Sequence, residues 1–180
     1  MPEIFFIPLQ STHFPLLLKW LEAPHLKTWW DQDIRWTPEL IQEKYGTYTQ
    51  GYKAEKGIKK PLQAYIIYIA NVPIGYIQFY NAYHFPRENG DLPEGLPKNL
   101  AALDFYIGDP DYVGKGIGSL ILNKFLKDHI QGKFEACFVD PDPTNQWAIR
   151  AYEKAGFQFI FPSSQGDNRW MIKPLNEHSV

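Results

Sequence analysis

A chain of 180 residues, 44% hydrophobic and 21% charged, has the length and apolar content for one compact domain over residues 1–180, and its composition argues against a disordered or low-complexity protein. A net charge of −2 with no dense Lys/Arg run argues against a nucleic-acid backbone or an anionic membrane as the main partner, because both demand clustered cations. The single cysteine, Cys137, excludes an internal disulfide.

Met1 to Pro8 lacks a basic stretch, and its apolar run from Ile4 to Ile7 is far too short for a signal peptide or a membrane span, so a cytoplasmic location is expected. Ile4 to Leu9 reads as a first strand. Ser11 or Thr12 can cap a helix through about Glu22, with Leu16, Leu17, Trp20 and Leu21 at helical spacing. Thr37-Pro38 starts another helix, expected to reach about Tyr48, because proline at the first helical position sacrifices no intrahelical bond. Gln63 to Ala70 and Ile74 to Tyr83, rich in Ile and Tyr and separated by Asn71-Val72-Pro73, read as an antiparallel hairpin. His84 to Asn99 is polar, holds three prolines and two glycines, and is either a substrate loop or a plain surface loop.

From Leu100 the pattern becomes strand (Leu100 to Ile107), glycine-rich turn, helix (about Ile117 to Ile130), strand (Phe134 to Val139), helix (about Asn145 to Ala155) and strand (Phe157 to Phe161). Strands interleaved with helices of this length imply parallel pairing with right-handed crossovers. Asn168 to Ile172 is expected to add an edge strand. The fold class is therefore α/β with a mixed sheet, antiparallel N-terminal strands joining a parallel C-terminal βαβ part. Cys137 lies in an apolar stretch with no nearby histidine and reads as core packing. The histidines at 13, 25, 84, 129 and 178 form no i,i+4 pair, so no metal is expected.

Val113-Gly114-Lys115-Gly116-Ile117-Gly118-Ser119 follows a strand and opens an amphipathic helix. Alternating glycines let the backbone approach an anion, and the unpaired N–H groups of the helix start face it. A Walker loop fits poorly because Ser119, not lysine, follows the last glycine, and the G-x-G-x-G spacing lacks the gap of a dinucleotide fingerprint. Taken alone, the run is weak evidence, and the other reading is a plain glycine-rich turn.

Further on stands Asn145-Gln146-Trp147-Ala148-Ile149-Arg150-Ala151-Tyr152-Glu153-Lys154-Ala155-Gly156-Phe157. Together the two segments resemble the GNAT acetyltransferases, with Asn145, Ala148, Tyr152, Gly156 and Phe157 at the family spacing. The resemblance implies the GNAT acyl-CoA N-acyltransferase fold, acetyl-coenzyme A as co-substrate, and no metal. It further implies that Phe105, Tyr106, Ile107, Val113, Gly114, Lys115, Gly116, Ile117, Gly118, Ser119, Asn145, Ala148 and Tyr152 contact the cofactor, with Tyr152 beside the thioester sulfur as the group that protonates the departing thiolate. The family often has Gln or Arg where Val113 stands, so one polar contact to the pyrophosphate is missing while the backbone cradle is kept. Asn145 is also a sensible N-cap and Gly156 a sensible helix terminator.

Within the superfamily the chain is similar to aminoglycoside 6′-N-acetyltransferases. The similarity rests on Glu22-Ala23-Pro24-His25 with Trp29-Trp30, on Pro73 to Gln78 with Tyr80, on Gly114-Lys115-Gly116, and on Asp140 to Asn145. Siderophore-type acyltransferases acting on hydroxylated lysine share this pattern and are the alternative. By resemblance, Trp30, Gln78, Tyr80, Asp104 and Asp140 meet the acceptor. From Glu88 to Asp142 ten acidic residues face five lysines, a local balance of −5, which favours a cationic acceptor over a merely solvated face. Trp29, Trp30, Tyr65, Tyr80 and Tyr83 either wall a cleft by stacking and cation–π contact or belong to the core.

Asp104 interrupts the apolar run Leu100 to Ile107, and burying a carboxylate is costly unless it is paired or used. In the resembled enzymes an aspartate ten residues before the first glycine accepts the proton of the amine. The other reading is a strand-edge aspartate facing water. The expected mechanism is direct attack by the amine in a ternary complex, with a backbone N–H around Tyr106 or Ile107, where the family strand bulges, meeting the oxyanion. A module that binds acyl-coenzyme A without turnover is the rival outside enzymes. A small-molecule amine is the expected partner, nucleic acid and membrane are not, and the chain is expected to be a monomer or homodimer.

Overall fold

The computed structural model describes residues 3–87, 90–160 and 169–175. They fall into two compact units, each built from two separate stretches of chain: residues 1–79 with 104–113, and residues 80–103 with 114–180.

The first unit begins with β1 (Ile4–Pro8). A single 3₁₀ turn at Ser11–His13 precedes α1 (Phe14–Leu21), so the expected Ser11 or Thr12 cap is replaced by a turn, with Pro15 in the first helical turn. Leu17, Trp20 and Leu21 form its buried stripe at i, i+3 and i+4 spacing. A short helix not expected from the sequence, α2 (Pro24–Lys27), follows. In α3 (Pro38–Tyr45) the Thr37 hydroxyl accepts from Leu40 N–H at 3.2 Å, as its N-cap position requires. α3 stops three residues short of Tyr48, which instead opens a 3₁₀ turn ended by Gly51 at φ +85°.

The strands of this unit are β2 (Tyr52–Glu55), β3 (Ile58–Ile69), β4 (Val72–Asn81) as far as Phe79, and β5 (Leu100–Ile107) from Asp104. Their order is β1-β3-β4-β5, with β2 paired to β3. β1 and β3 are antiparallel from Ile4↔Ile69 to Pro8↔Tyr65. The turn between β3 and β4 takes only Ala70 and Asn71, a length that joins antiparallel neighbours alone. Glycine at position 75 is a steric requirement, because a Cβ there would lie 2.3 Å from the Tyr106 carbonyl oxygen.

The second unit holds the rest of β4 and β5, then α4 (Gly118–Phe125) continued by a π turn over Leu126–Ile130, β6 (Ala136–Val139), α5 (Gln146–Lys154), β7 (Gln158–Phe159) and β8 (Met171–Pro174). Their order is β4-β5-β6-β8-β7. β5 and β6 are parallel, from Leu100↔Ala136 to Ala102↔Phe138, and β8 is antiparallel to both β6 and β7. β8 therefore lies between β6 and β7, and the edge is β7, which corrects the expected edge strand. Asn168 and Phe161, the outer limits expected for these two strands, lie outside the described residues. The fold is mixed α/β, with antiparallel and parallel pairing as the sequence pattern implied. Cys137 is fully buried in β6. No helix among the described residues is long and apolar enough to cross a membrane.

Candidate active site

In the first unit, strand alternation sets Tyr76 and Gln78 on one face of β4, and Asp104 and Tyr106 on one face of β5. The half-buried Asp104 accepts from Gln78 Nε2 at 2.9 Å, and Gln78 Oε1 accepts from the Tyr76 hydroxyl at 2.5 Å. Tyr76 stacks on Tyr106 with ring centroids 5.4 Å apart. Trp30 meets the Tyr106 ring edge-on at 4.9 Å. The Asp104 carboxylate thus stands where the sequence put it, with one oxygen fixed through a chain of two side chains. Burial first, then the charges of Asp104 and Asp31, pushes the Tyr48 phenol well above its ordinary range.

At the end of β5, Gly108 N–H and Asp109 N–H both donate to the Ile74 carbonyl, at 2.7 and 3.0 Å. Two residues opposing one is the pattern of a bulge, and it lies just beyond the Tyr106–Ile107 position expected for it. A Cβ on Gly108 would lie 2.1 Å from Cδ2 of Trp20, so only glycine fits. His25 Nε2 lies 3.2 Å from the Ile107 carbonyl oxygen. Phe105 is half-buried and Val113 ends the unit in extended conformation, its N–H donating to Pro110 O at 3.3 Å.

The second unit carries the glycine turn. Gly114 and Gly116 have φ of +72° and +75°, and Ile117 then turns right-handed at φ −86°. Opposite-handed neighbours aim successive N–H groups into a concavity suited to an anion. Ile117 is the N-cap of α4 and supplies no side-chain acceptor, and the first turn has no acidic residue. The N–H groups of Gly118, Ser119 and Leu120, in the first turn, have no intrahelical acceptor, the arrangement that suits an anion at a helix start. Among the described residues, no heavy atom beyond Gly116 and its chain neighbours lies within 4 Å of a Cβ built there, so the exposed Gly114-Lys115-Gly116 turn has room for a diphosphate. A Cβ on Gly114 would lie 3.1 Å from the Trp147 ring, a neighbour that no sequence motif marks.

On α5 the Asn145 side chain accepts from Ala148 N–H at 3.2 Å, and Gly156 ends the helix at φ +96°. Tyr152 is 5% exposed and packs edge-on to Phe157 at 5.4 Å.

Of the residues expected to meet the acceptor, the first unit holds Trp30, Gln78 and Asp104, and the second holds Tyr80 and Asp140. Those two meet through a residue the sequence reading passed over. Arg87 donates to the Tyr80 hydroxyl at 3.1 Å, pairs with Asp140 at 2.7 Å, and lies 5.0 Å over the Phe138 ring. Its one sequence signal was its place in the proline-rich stretch as the only arginine between Arg35 and Arg150. That stretch is also anchored by Leu92 and Leu96, which pack on a cluster holding Phe138 and Trp170. Among the five aromatics considered as a cleft wall, none is fully buried, and Trp29 and Tyr83 are exposed.

A family model described as an acetyltransferase (GNAT) domain matches residues 10–162. The chain belongs to the GNAT acetyltransferases. It is an acetyl-coenzyme A-dependent N-acetyltransferase by that membership. Aminoglycoside N(6′)-acetyltransferase type 1 of Klebsiella pneumoniae is 29% identical over 148 residues, covering 79% of this chain and 68% of the relative. The protein of the same name from Serratia marcescens matches to the same extent. Among solved structures, aminoglycoside acetyltransferase AAC(6')-Ib in complex with coenzyme A and kanamycin has a TM-score of 0.74 at 25% identity, covering 96% of this chain and 95% of that one. The open glycine turn before α4, the Asp104 carboxylate on β5 and the buried Tyr152 on α5 all lie within the matched residues.

Proposed function

We propose that the chain is a single-domain, cytoplasmic enzyme that acetylates a primary amine of a cationic small molecule, the 6′-amine of an aminoglycoside. The observation that carries the reading is Asp104, half-buried on β5 and held by Gln78, ten residues before the open glycine turn. The names of the relatives at 29% identity, and of the kanamycin-bound structure at 25%, support the acceptor class.

Acetyl-coenzyme A supplies the acetyl group as an activated thioester. An alkyl ammonium, with a pKa of about 10.4, is protonated at neutral pH and cannot attack until a base takes its proton. Asp104 is that base, directly or through a water. A backbone N–H around Tyr106 or Ile107 donates to the carbonyl oxygen as charge develops on it, a donor contributing about 3 to 4 kcal/mol in comparable sites. Tyr152 donates its proton to the leaving sulfur. Gly114 to Ser119 hold the diphosphate, and Asn145 and Ala148 position the helix that carries Tyr152. Trp30, Gln78, Tyr80 and Asp140 receive the acceptor.

Thiol release from acetyl-coenzyme A, measured against kanamycin, simple polyamines and hydroxylated lysine, tests the reading. Turnover driven by kanamycin supports it. Turnover by hydroxylated lysine alone replaces the acceptor class, and coenzyme A binding with no turnover against the panel would favour a binding module.

A further inference from the structure

Immediately after α2 the first unit carries a carboxylate that the proposed reaction does not use. Asp31 has φ of +49°, a left-handed conformation that aspartate tolerates better than most L residues but does not prefer. Its surroundings are tied down. Glu22 pairs with Lys27 and accepts from Trp36 N–H at 2.9 Å, Lys27 Nζ donates to Ile34 O at 2.7 Å, and Ile34 N–H donates to Asp31 O at 3.0 Å.

The Oδ2 atom of Asp31 is buried and accepts no hydrogen bond from a described residue. Lys44 Nζ lies 3.6 Å from it, an ion-pair distance too long for a hydrogen bond. The same ammonium sits 5.5 Å from the ring centroid of Trp36 and 5.4 Å from that of Tyr45. One carboxylate and two aromatic faces therefore surround a cation, the chemistry by which proteins hold ammonium groups. Lys44 is a loose occupant, its side chain 37% exposed at the last turn of α3.

Two nearly inaccessible donors of this unit are also unsatisfied: the Tyr106 hydroxyl, on a residue 4% exposed, and the Trp36 indole N–H, on a residue 6% exposed. The Asp31 charge adds to burial in raising the Tyr106 phenol, which puts the carboxylate within electrostatic range of that hydroxyl. Folded proteins leave few buried polar groups unpaired, and among the described residues of this unit an acceptor beside the Lys44 cation and two donors remain so.

We propose that Asp31, Trp36, Tyr45 and Tyr106 form a second subsite that binds a non-reacting ammonium-and-hydroxyl unit of the acceptor, with Lys44 standing in for that ammonium until the acceptor displaces it. The ammonium donates to Asp31 Oδ2 between the two rings, and a neighbouring hydroxyl oxygen accepts from Tyr106 or Trp36. The subsite selects acceptors with at least two amines. It rests on the amine-acceptor reading above, and it assigns that reading a determinant of affinity distinct from the base, Asp104.

The test is direct binding by titration calorimetry on the full chain, with kanamycin as the multi-amine probe and 6-amino-6-deoxyglucose as a probe that carries only the reacting amine. Wild type, Asp31→Asn, Asp31→Gly and Lys44→Met are compared. Both Asp31 variants should weaken kanamycin by about tenfold or more, the loss expected for one charged hydrogen bond, and leave the monoamine unchanged. Lys44→Met should tighten kanamycin by removing a competing cation. Asp31→Gly should keep or raise the melting temperature, since glycine accepts the positive φ freely. Equal weakening of both probes, no weakening, no kanamycin binding by wild type, or a fall in melting temperature for Asp31→Gly overturns the subsite. Thiol release with the monoamine is scored separately, so a failed subsite and a failed acetyl-transfer reading give different results.

Discussion

Gln78 Nε2 donates to Asp104 Oδ2 at 2.9 Å, and the two residues sit on neighbouring strands of the first unit. The bond fixes the position of one carboxylate oxygen. Asp104→Asn is expected to lower kcat by about 10²- to 10⁴-fold, the range for loss of a positioned general base, with acetyl-coenzyme A affinity unchanged. Gln78→Leu removes the orienting bond and should lower kcat by about fivefold to tenfold, as one net hydrogen bond implies. Steady-state kinetics with coenzyme A titrations check both. An Asp104→Asn variant with wild-type kcat would remove the base assignment.

Gly75 and Gly116 both disfavour a side chain, for different reasons and to different degrees. A Cβ at position 75 meets a backbone oxygen at 2.3 Å, so Gly75→Ala should lose about 3 kcal/mol or more of stability or fail to accumulate as folded protein. At position 116 the space is open and the cost is the φ of +75°, about 1 to 2 kcal/mol. Gly116→Ala should therefore fold with a modestly lower melting temperature, and if the turn receives the diphosphate as proposed it should also show a raised KM for acetyl-coenzyme A. Thermal melts alongside KM separate the two effects.

Most of the fold could be read from the sequence where periodicity or capping chemistry is local. β5 begins and ends at the expected Leu100 and Ile107, and Thr37, Asn145 and Gly156 cap as their residue types predict. β2 was missed because Tyr52–Glu55 gains its strand character from pairing with β3, from Tyr52↔Pro61 to Glu55↔Ile58, and its own composition gives little signal. The order β6-β8-β7 was missed for a similar reason: which strand fills a gap is a long-range choice that two short runs do not encode. At the site, Asp104 was visible as a charge interrupting an apolar run. Arg87 and Asp31 were not, since their meaning comes from partners in other elements, Asp140 for one and Lys44 on α3 for the other.

Arg87 holds Asp140 at 2.7 Å, with side chains 9% and 17% exposed. A cation already lies against two of the residues assigned to the acceptor, Tyr80 and Asp140. Removing it with Arg87→Ala takes the guanidinium from a largely buried carboxylate, and stability should fall by about 2 to 3 kcal/mol, somewhat less than for a fully buried pair. If Asp140 receives an acceptor ammonium, kanamycin should restore more stability to Arg87→Ala than it gives wild type. Thermal melts with and without kanamycin read this directly, and equal shifts in the two proteins would take Asp140 out of the acceptor site.

Tyr76 and Tyr106 stack on each other, yet one hydroxyl is bonded and the other is not. Tyr76→Phe strips the donor from Gln78 and should lose about 1 kcal/mol of stability, with a fall in kcat transmitted through Gln78 to Asp104. Tyr106→Phe removes a buried hydroxyl that has no partner and should leave stability unchanged or raise it by about 1 kcal/mol. Burial, the largest cause in each case, pushes both phenols well above 10.0. The unfolded chain ionises them near pH 10 while the folded chain keeps them protonated, so their contribution is fully present below about pH 10 and is lost as pH rises beyond it. Melting temperatures taken from pH 8 to 11 should fall steeply above pH 10 in wild type and less steeply in either Phe variant. A slope that neither substitution changes would mean that other groups set the alkaline limit.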